Sequence, residues 1–199
     1  MARKITANLY MTLDGYGEFP KYPGWDYVSE EPDEFWNELW ISQYDSVDTI
    51  IFGRGSFEGH EEVHSISKRK PTDPYYMFDY SRFLEKCQKI VISHSLKKVE
   101  WANSRIVEGD LTELIRNIRN EPGKDIIVEG GPSLVHEFIQ RGLIDEYRIL
   151  VMPVIIGKGH NYWGTMANQQ TLKLISAKTM KYGELCLRFE CVHDFNASK

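Results

Sequence analysis

Apolar residues recur with two different periods along the chain. They alternate with polar residues from Ile5 to Met11, and several short β-branched runs follow, which is the pattern of buried strands. Elsewhere they recur at helical spacing, after Pro32, after Asp110 and again after Gly131. The predicted strands are 5–11, 47–52, 89–92, 104–107, 125–128, 147–156, 170–181 and 185–192.

Capping and breaking residues agree with this division into elements. Asp110 precedes one apolar stripe with the spacing of a capping box, and Gly142 follows another stripe as a helix-ending glycine. Pro32 suits the first turn of an earlier helix. Two segments are less sharply defined: 59–74 predicts a loop or a poorly formed helix, and 81–86 predicts a short helix.

The order of these elements favours an α/β fold. Strands and helices alternate at first, after which consecutive strands are joined by a hairpin turn at 182–184. We therefore predict a central mixed, mostly parallel sheet of about eight strands, with flanking helices and a C-terminal antiparallel hairpin. No repeat or linker divides the chain, so one domain is expected over 1–199. Pro153 indicates an edge, a bulge or a break, and an exposed sheet edge near 147–156 favours a homodimer.

Composition and charge exclude several classes of function. The 199 residues include 24 Lys and Arg against 29 Asp and Glu, and no basic stripe, which argues against a nucleic-acid-binding module. No apolar run reaches the ~18 residues of a membrane span, and no signal peptide is evident. Cys186 and Cys191 should face opposite sides of one strand, so free thiols and a cytoplasmic location are expected.

The strongest chemical signal is the stretch I-I-V-E-G-G-P-S-L at 126–134. A strand runs straight into two glycines and then into the start of a helix. Glycines allow a ligand to approach the backbone closely, and the free N–H groups of a helix start favour phosphate. The alternative is a tight strand-to-helix turn with no ligand, and the stretch alone does not decide between the two.

Two other strand ends carry groups that suit phosphate. Arg54 follows the strand 47–52, where a guanidinium can bind a phosphate through two hydrogen bonds, and Ser93 and Ser95 follow the strand 89–92. Each feature alone is also compatible with an ordinary surface turn. Because a parallel sheet gathers its strand ends along one edge, the three together predict a nucleotide cofactor.

The sequence H-E-E-V-H at 60–64 is a competing signal. On a helix it would place His60 and His64 on one face for zinc, with Glu61 as general base and Glu85 as a third ligand. The segment lacks a long apolar face, so a solvated loop or short helix is the preferred interpretation, and no metal is predicted.

The ordered set of motifs resembles the dihydrofolate reductase-like superfamily. The closest resemblance is to the reductase domain of bifunctional riboflavin-biosynthesis proteins, the RibD C-terminal domain, and to its stand-alone bacterial relatives. The motifs are M-T-L-D-G at 11–15, G-R-G-S-F at 53–57, V-I-S at 91–93, E-G-G-P-S-L at 129–134, G-L-I-D-E-Y at 142–147 and P-V-I-I-G-K-G at 153–159. They cover roughly 3–192.

The resemblance implies a three-layer fold, often dimeric, and an NADPH-dependent reductase similar to 5-amino-6-(5-phosphoribosylamino)uracil reductase. It implies catalytic roles for Asp14 and Glu129 beside the substrate, and a loop at 12–17 that closes over the nicotinamide. The 2′-phosphate and adenosine would lie near Arg54 and Ser56. The residues expected to bind the cofactor are Asn8, Gly53, Arg54, Ser56, Phe57, Ser93, Ser95, Gly130, Gly131, Pro132, Ser133 and Leu134.

Three alternatives stay open. A dihydrofolate or pteridine reductase on the same scaffold would take its acid from the first helix, at Asp33 or Glu34. A zinc hydrolase would use His60 and His64, and a nucleotide-binding protein would bind the cofactor without turnover. These 199 residues also depart from the bifunctional proteins, because they contain no H-x-E…C-x-x-C zinc signature of a deaminase and carry a bulky aromatic segment at 22–40. The substrate is therefore expected to be a small molecule, and its identity stays open.

Overall fold

The computed structural model describes residues 2–18 and 34–192. Eight strands and five α-helices lie in this part of the chain. The strands are β1 (Ile5–Thr12), β2 (Val47–Gly53), β3 (Gln88–Ile92), β4 (Ser104–Val107), β5 (Asp125–Val128), β6 (Glu146–Met152), β7 (Leu172–Thr179) and β8 (Leu185–Cys191). The helices are α1 (Glu34–Leu39), α2 (Arg54–His64), α3 (Tyr75–Lys86), α4 (Leu111–Asn120) and α5 (Pro132–Gln140), with short 3₁₀ turns at Ile41–Gln43 and Ile66–Lys68.

The strands form one mixed sheet in the order β4-β3-β2-β5-β1-β6-β8-β7. The first six strands in that order, β4, β3, β2, β5, β1 and β6, all run parallel to one another. The last two, β8 and β7, add an antiparallel hairpin beside β6. The predicted mostly parallel sheet of eight strands with a C-terminal hairpin is therefore confirmed.

Alternation along the strands divides the core into two halves. Ile50 and Phe52 of β2 point to the side covered by α1, α2 and α3, whereas Ile51 points to the side covered by α4 and α5. The α1–α3 side is strongly aromatic and includes Trp40 and Tyr80, while the α4–α5 side is mainly aliphatic. Most of the large aromatic side chains of the core pack together on the α1–α3 side.

The capping signals have the structural roles that the sequence predicts. The side chain of Asp110 accepts a hydrogen bond from the backbone N–H of Glu113 at the start of α4. Pro132 is the first residue of α5, and Gly142 follows its end with a φ of +62°.

Two helices are longer than predicted. α2 continues through His64, although Phe57 is its one buried residue and the sequence pattern is correspondingly weak. α3 begins at Tyr75, directly after Pro74, and buries Tyr76 and Tyr80 one turn apart. The aromatic residues before 81 belong to the apolar stripe of this helix, which the prediction of a short helix at 81–86 omits.

The predicted exposed edge near 147–156 is wrong. β6 pairs with β1 on one side and with β8 on the other, so it lies inside the sheet. Pro153 comes immediately after β6 and ends the strand, as a residue without an N–H donor does. The edges of the described sheet are β4 and β7. A homodimer stays a prediction, but it loses this support.

The three cysteines are free thiols. Cys186 is buried on the α1–α3 side, and Cys191, on the same strand, packs against the α4–α5 side. Their opposite directions follow from the odd separation of five positions along β8. In the described ranges, no helix is long and apolar enough to cross a membrane.

Candidate active site

Two helices begin side by side at the carboxyl ends of β2 and β5. α2 starts after Gly53 and α5 after Gly131, and in both cases the cap residue provides no side-chain hydrogen bond. Neither first turn contains an acidic residue. A Cβ built on Gly131 would lie 3.9 Å from Oγ of Ser56, which shows how close the two starts are. Free N–H groups and two positive dipole ends therefore face the same space.

A guanidinium stands beside these helix starts. Arg54 is exposed on the first residue of α2, and its Nη1 donates to Oγ of Ser95 at 3.3 Å. Ser95 belongs to the turn after β3, where Oγ of Ser93 accepts hydrogen bonds from the N–H groups of Ser95 and Leu96. The ends of β2, β3 and β5 thus meet at one rim, as predicted, although the Ser93 hydroxyl also organises its own turn.

The turn between β5 and α5 is tightly packed on one side and open on the other. The side chain of Leu134 fills the space next to Gly130, where a Cβ would come within 3.1 Å of Leu134 Cδ2. At Gly131 the nearest atom is 3.9 Å away, and Ser133 is exposed. The open side is the one that faces Ser56 and the start of α2.

Asp14 holds a loop in place. Its carboxylate accepts hydrogen bonds from Oγ1 of Thr12 at 2.6 Å and from the backbone N–H groups of Ile156 and Gly157. The Thr12 hydroxyl above all, together with these amides, lowers the pKa of Asp14, so the group is ionised at neutral pH. Asp14 does not line the pocket described below, so its catalytic role stays a prediction while its structural role is evident.

The Asp14 loop nevertheless lies close to the rim. A Cβ on Gly17 would clash with Cγ of Pro132, the first residue of α5. The loop also pairs with the segment after β6 through an isolated bridge between Tyr16 and Asn161. The part at 12–18 is therefore packed against the start of α5, where the sequence predicts a closing loop.

Two residues that were expected to bind the cofactor, Phe57 and Asn8, are buried in the interior and do not lie at the rim. Phe57 is 2% exposed and packs edge-on against Phe52, so its side chain belongs to the core and has no surface for a cofactor. Asn8 is also buried: its amide donates to the carbonyl of Leu39 and accepts from Gln43. These bonds fix α1 and the turn that follows it against β1.

An aromatic pocket of about 270 Å³ opens next to the rim on the α1–α3 side. Rings that are themselves nearly buried form its walls, and they contact one another edge-on, as Trp36 and Tyr80 do with ring centroids 5.0 Å apart. The aromatic walls are Tyr10, Trp36, Trp40, Tyr76 and Tyr80. The remaining lining residues are His60, Val63, His64, Met77 and Glu129. We refer to this cavity as the aromatic pocket.

Glu129 forms the polar end of the aromatic pocket. It follows β5 directly and is 9% exposed, and its Oε2 is buried without a hydrogen-bond partner among the described residues. Burial raises the pKa of the Glu129 carboxyl well above its usual value, which favours the protonated form. A buried acid that carries a proton and faces a cavity is a candidate proton donor.

Two neutral imidazoles accompany Glu129. Nδ1 of His60 lies 2.8 Å from the carbonyl oxygen of Ser56, which can only accept, so this nitrogen carries the proton. The unprotonated Nε2 then faces Oε1 of Glu129 at 4.0 Å. Burial lowers the pKa of His60 to about 4 and that of His64 to about 3, so both rings are uncharged at neutral pH.

The histidines do not support the zinc alternative. They share one face of α2, as predicted, with ring centroids 5.4 Å apart. Glu85, the suggested third ligand, instead accepts from Trp101 at 2.8 Å and from the N–H of Ile66. In the described part of the chain, no group of three His, Cys, Asp or Glu residues could hold a metal ion.

The aromatic pocket was only partly visible in the sequence. The helical spacing of Trp36 and Trp40 after Pro32 is visible in the sequence, but the predicted elements do not include the contribution of α3. The stretch Y-Y-M-F-D-Y at 75–80 places Tyr76 and Tyr80 four positions apart, and thus on one face of a helix. This spacing is the signal in the sequence for the aromatic face of α3. That α3 faces α1 across a cavity depends on tertiary packing.

Comparison with known proteins gives a consistent result. The family model described as the RibD C-terminal domain matches residues 3–187. Uncharacterized protein YyaP of Bacillus subtilis is 29% identical over 182 residues, which are 91% of this chain and 91% of that protein. A 2,5-diamino-6-ribosylamino-4(3H)-pyrimidinone 5′-phosphate reductase of Aquifex aeolicus is 38% identical over 48 residues, 24% of this chain and 21% of that protein.

Among solved structures, a putative riboflavin biosynthesis protein from Shewanella sp. PV-4 has the same fold. The TM-score is 0.69 at 16% sequence identity, and the match covers 97% of this chain and all of the other. At this level of identity the likeness concerns the fold alone.

The buried imidazole of His64 predicts a pH dependence of stability. An unfolded His takes up a proton below pH 6.5, whereas the folded one does so only near 3, so acidification favours unfolding. In His64→Phe, the free energy of unfolding should fall less steeply between pH 6 and pH 4.5, by up to about 1.4 kcal/mol per pH unit. Urea titrations at several pH values measure this slope.

The exposed His94 provides the control. His94→Gln should leave the pH slope of the unchanged protein as it is. Equal slopes in all three proteins would show that His64 is not buried in its neutral form.

Proposed function

The chain belongs to the RibD C-terminal domain family, a riboflavin-pathway reductase family with the dihydrofolate reductase-like fold, and on that premise we propose that it is an NADPH-dependent reductase of a small heterocyclic substrate. Membership of the RibD C-terminal domain family supports an enzyme of the reductase class. The cofactor and the roles of individual residues are inferred from the rim and the aromatic pocket.

One observation carries the proposal: the free starts of α2 and α5 lie together, with Arg54 next to them. A pyrophosphate fits where several backbone N–H groups and two helix dipoles converge, and Gly131 leaves room for it. Arg54 and Ser95 would bind the 2′-phosphate, because a guanidinium and a hydroxyl 3.3 Å apart can both donate to its oxygens. Ser56, Pro132 and Ser133 line the space between the two groups.

The reaction requires a hydride and a proton, and NADPH supplies the hydride when bound. Glu129 would supply the proton, since its carboxyl is buried, lines the aromatic pocket beside the rim and has a pKa that burial raises above its usual value. Nε2 of His60 lies 4.0 Å from Oε1 of Glu129, which is too far for a strong hydrogen bond. The Glu129 carboxyl therefore stays free to donate to a substrate. Asp14 would keep the loop at 12–17 against α5, next to the cofactor.

The dihydrofolate reductase alternative has less support. Its acid would stand on the first helix, but Glu34 is exposed and does not line the aromatic pocket, and Asp33 lies outside the described residues. The acid that lines the aromatic pocket, Glu129, instead follows β5. The third alternative, a nucleotide-binding protein without activity, differs from the reductase in that it does not oxidise NADPH. It would be favoured if NADPH bound but was not oxidised with ribosylaminopyrimidines, pterins or aromatic carbonyls.

Arg54→Ala tests the position of the 2′-phosphate. The variant should lose one charge-assisted interaction of roughly 1.5–3 kcal/mol, so NADPH should bind about 10- to 150-fold more weakly while NADH binding changes little. Calorimetric titration of both cofactors measures the difference. The control is Arg82→Ala, which removes an equally exposed arginine from α3. Equal weakening of NADPH and NADH would remove Arg54 from this role.

Gly131→Ala tests the path of the pyrophosphate. Gly131 has ordinary extended angles, φ −62° and ψ 165°, so the folded protein should accept alanine. The added methyl group would stand on the open side of the turn and should weaken NADPH binding at least tenfold, with little change in the melting temperature. Gly59→Ala is the matched control, since it adds a methyl group to the middle of α2 with no atom within 4 Å. Unchanged binding in Gly131→Ala would place the cofactor elsewhere.

Glu129→Gln tests the proton donor. The amide keeps the shape of the side chain but lacks the acidic proton, so kcat should fall about 10²- to 10⁴-fold with the best acceptor of the panel named above. The affinity for NADPH should be unchanged. Glu137→Gln, on the exposed face of α5, is the control. Full activity of Glu129→Gln would assign proton donation to another group or to water.

A further inference from the structure

We infer that the aromatic pocket binds an uncharged, planar aromatic ring system without a phosphate group, with a hydrogen-bonding group at its edge. The inference rests on the proposed function, since it names the substrate class for that site. It departs from the phosphorylated pyrimidine named for the Aquifex aeolicus relative.

The walls of the pocket are suited to a flat ring. Trp36, Trp40 and Tyr80 are each less than 10% exposed and hold one another by edge-on and tilted contacts at 4.8–5.0 Å between centroids. Such a network leaves the walls little freedom to move when a ligand enters, so the shape is already formed before binding. Aromatic walls gain most from a ligand that presents π-faces and edges of its own.

The size of the pocket limits the ligand. A volume of about 270 Å³ lies just below the ~300–1,000 Å³ of typical small-molecule sites. This is room for one ring system, and not for a ring that also carries a ribose phosphate. The opening is bordered by Val63 of α2, which is 50% exposed.

Among the described residues, the lining of the pocket provides no positive charge to receive a phosphate. None of the described residues that line the pocket is Lys or Arg. Arg69 does not line the pocket: its side chain is 5% exposed, pairs with Asp73 at 3.4 Å and donates to the carbonyl of Val63, while its Nε has no hydrogen-bond partner among the described residues. A phosphate inside the pocket would lose its hydration without gaining a counter-ion, which is strongly unfavourable.

The polar end of the pocket offers hydrogen-bonding atoms to a ligand. Oε2 of Glu129 and Nδ1 of His64 are buried polar atoms without a hydrogen-bond partner among the described residues. Unsatisfied buried groups of this kind are expected where a ligand completes the hydrogen bonding. An acid proton on Glu129 and an imidazole on His64 together suit a ligand edge that both accepts and donates.

Calorimetry with 1-naphthol and 1-naphthyl phosphate tests the inference, because the two differ by the phosphate alone. The protein should bind 1-naphthol at least tenfold more tightly than the phosphate. Val63→Lys, which adds a cation at the opening, should bring the two affinities within about threefold of each other. Ile66→Lys adds the same charge outside the pocket, at a residue that is 40% exposed, and should leave the ratio unchanged.

Three results would overturn the inference: equal or tighter binding of the phosphate by the unchanged protein, no binding of either compound, or equal effects of the two lysine variants. NADPH titrations on the same samples keep this test separate from the proposed function. If NADPH binds and naphthol does not, the substrate class is wrong and the reductase proposal stands. If NADPH does not bind, the reductase proposal itself fails.

Discussion

The parallel pairing of β2 with β5 is the constraint on which the site depends. Because both strands run in the same direction and are neighbours, α2 and α5 start at the same edge of the sheet. The pairing of β2 with β3 adds the turn that contains Ser95, and the pairing of β5 with β1 brings Glu129 near Tyr10. An antiparallel arrangement of the same segments would have placed these groups at opposite ends of the sheet.

Much of this arrangement could be predicted from the sequence, and the reason is local. The β-branched strands, the Asp110 cap and the glycines at 130 and 131 each act within a few residues, and parallel strands then force their ends together. The aromatic pocket could not be derived in the same way, since the distance between α1 and α3 depends on how Trp36, Trp40 and Tyr80 pack. Phe57 illustrates the limit: its neighbours in sequence reach the rim, but its own side chain points into the core.

The interior position of β6 shows a second limit. Pro153 has no N–H donor, which fits either an edge strand or the end of an inner one, and the sequence alone does not choose between them. The choice depends on whether β8 returns beside β6, which is a contact between residues some forty positions apart. Long-range pairings of this kind are poorly constrained by local pattern.

The rim and the aromatic pocket differ in electrostatic character, and this difference separates their proposed roles. The rim is exposed and combines the Arg54 guanidinium, which has Glu58 at 3.9 Å, with the positive ends of two helix dipoles, and it therefore suits phosphate. The pocket is buried and holds His60 and His64 as uncharged rings, and burial raises the pKa of Glu129, so the pocket suits an uncharged ring. Burying an acid without a partner lowers stability, and such a cost is typical of a functional position.

A crystal structure with bound NADPH tests the central claim most directly. The account predicts the 2′-phosphate within hydrogen-bonding distance of Arg54 and Ser95, the pyrophosphate over the N–H groups that start α5, and the nicotinamide facing the aromatic pocket. A dinucleotide bound away from the shared ends of β2 and β5, for example on the β7–β8 hairpin, would contradict it.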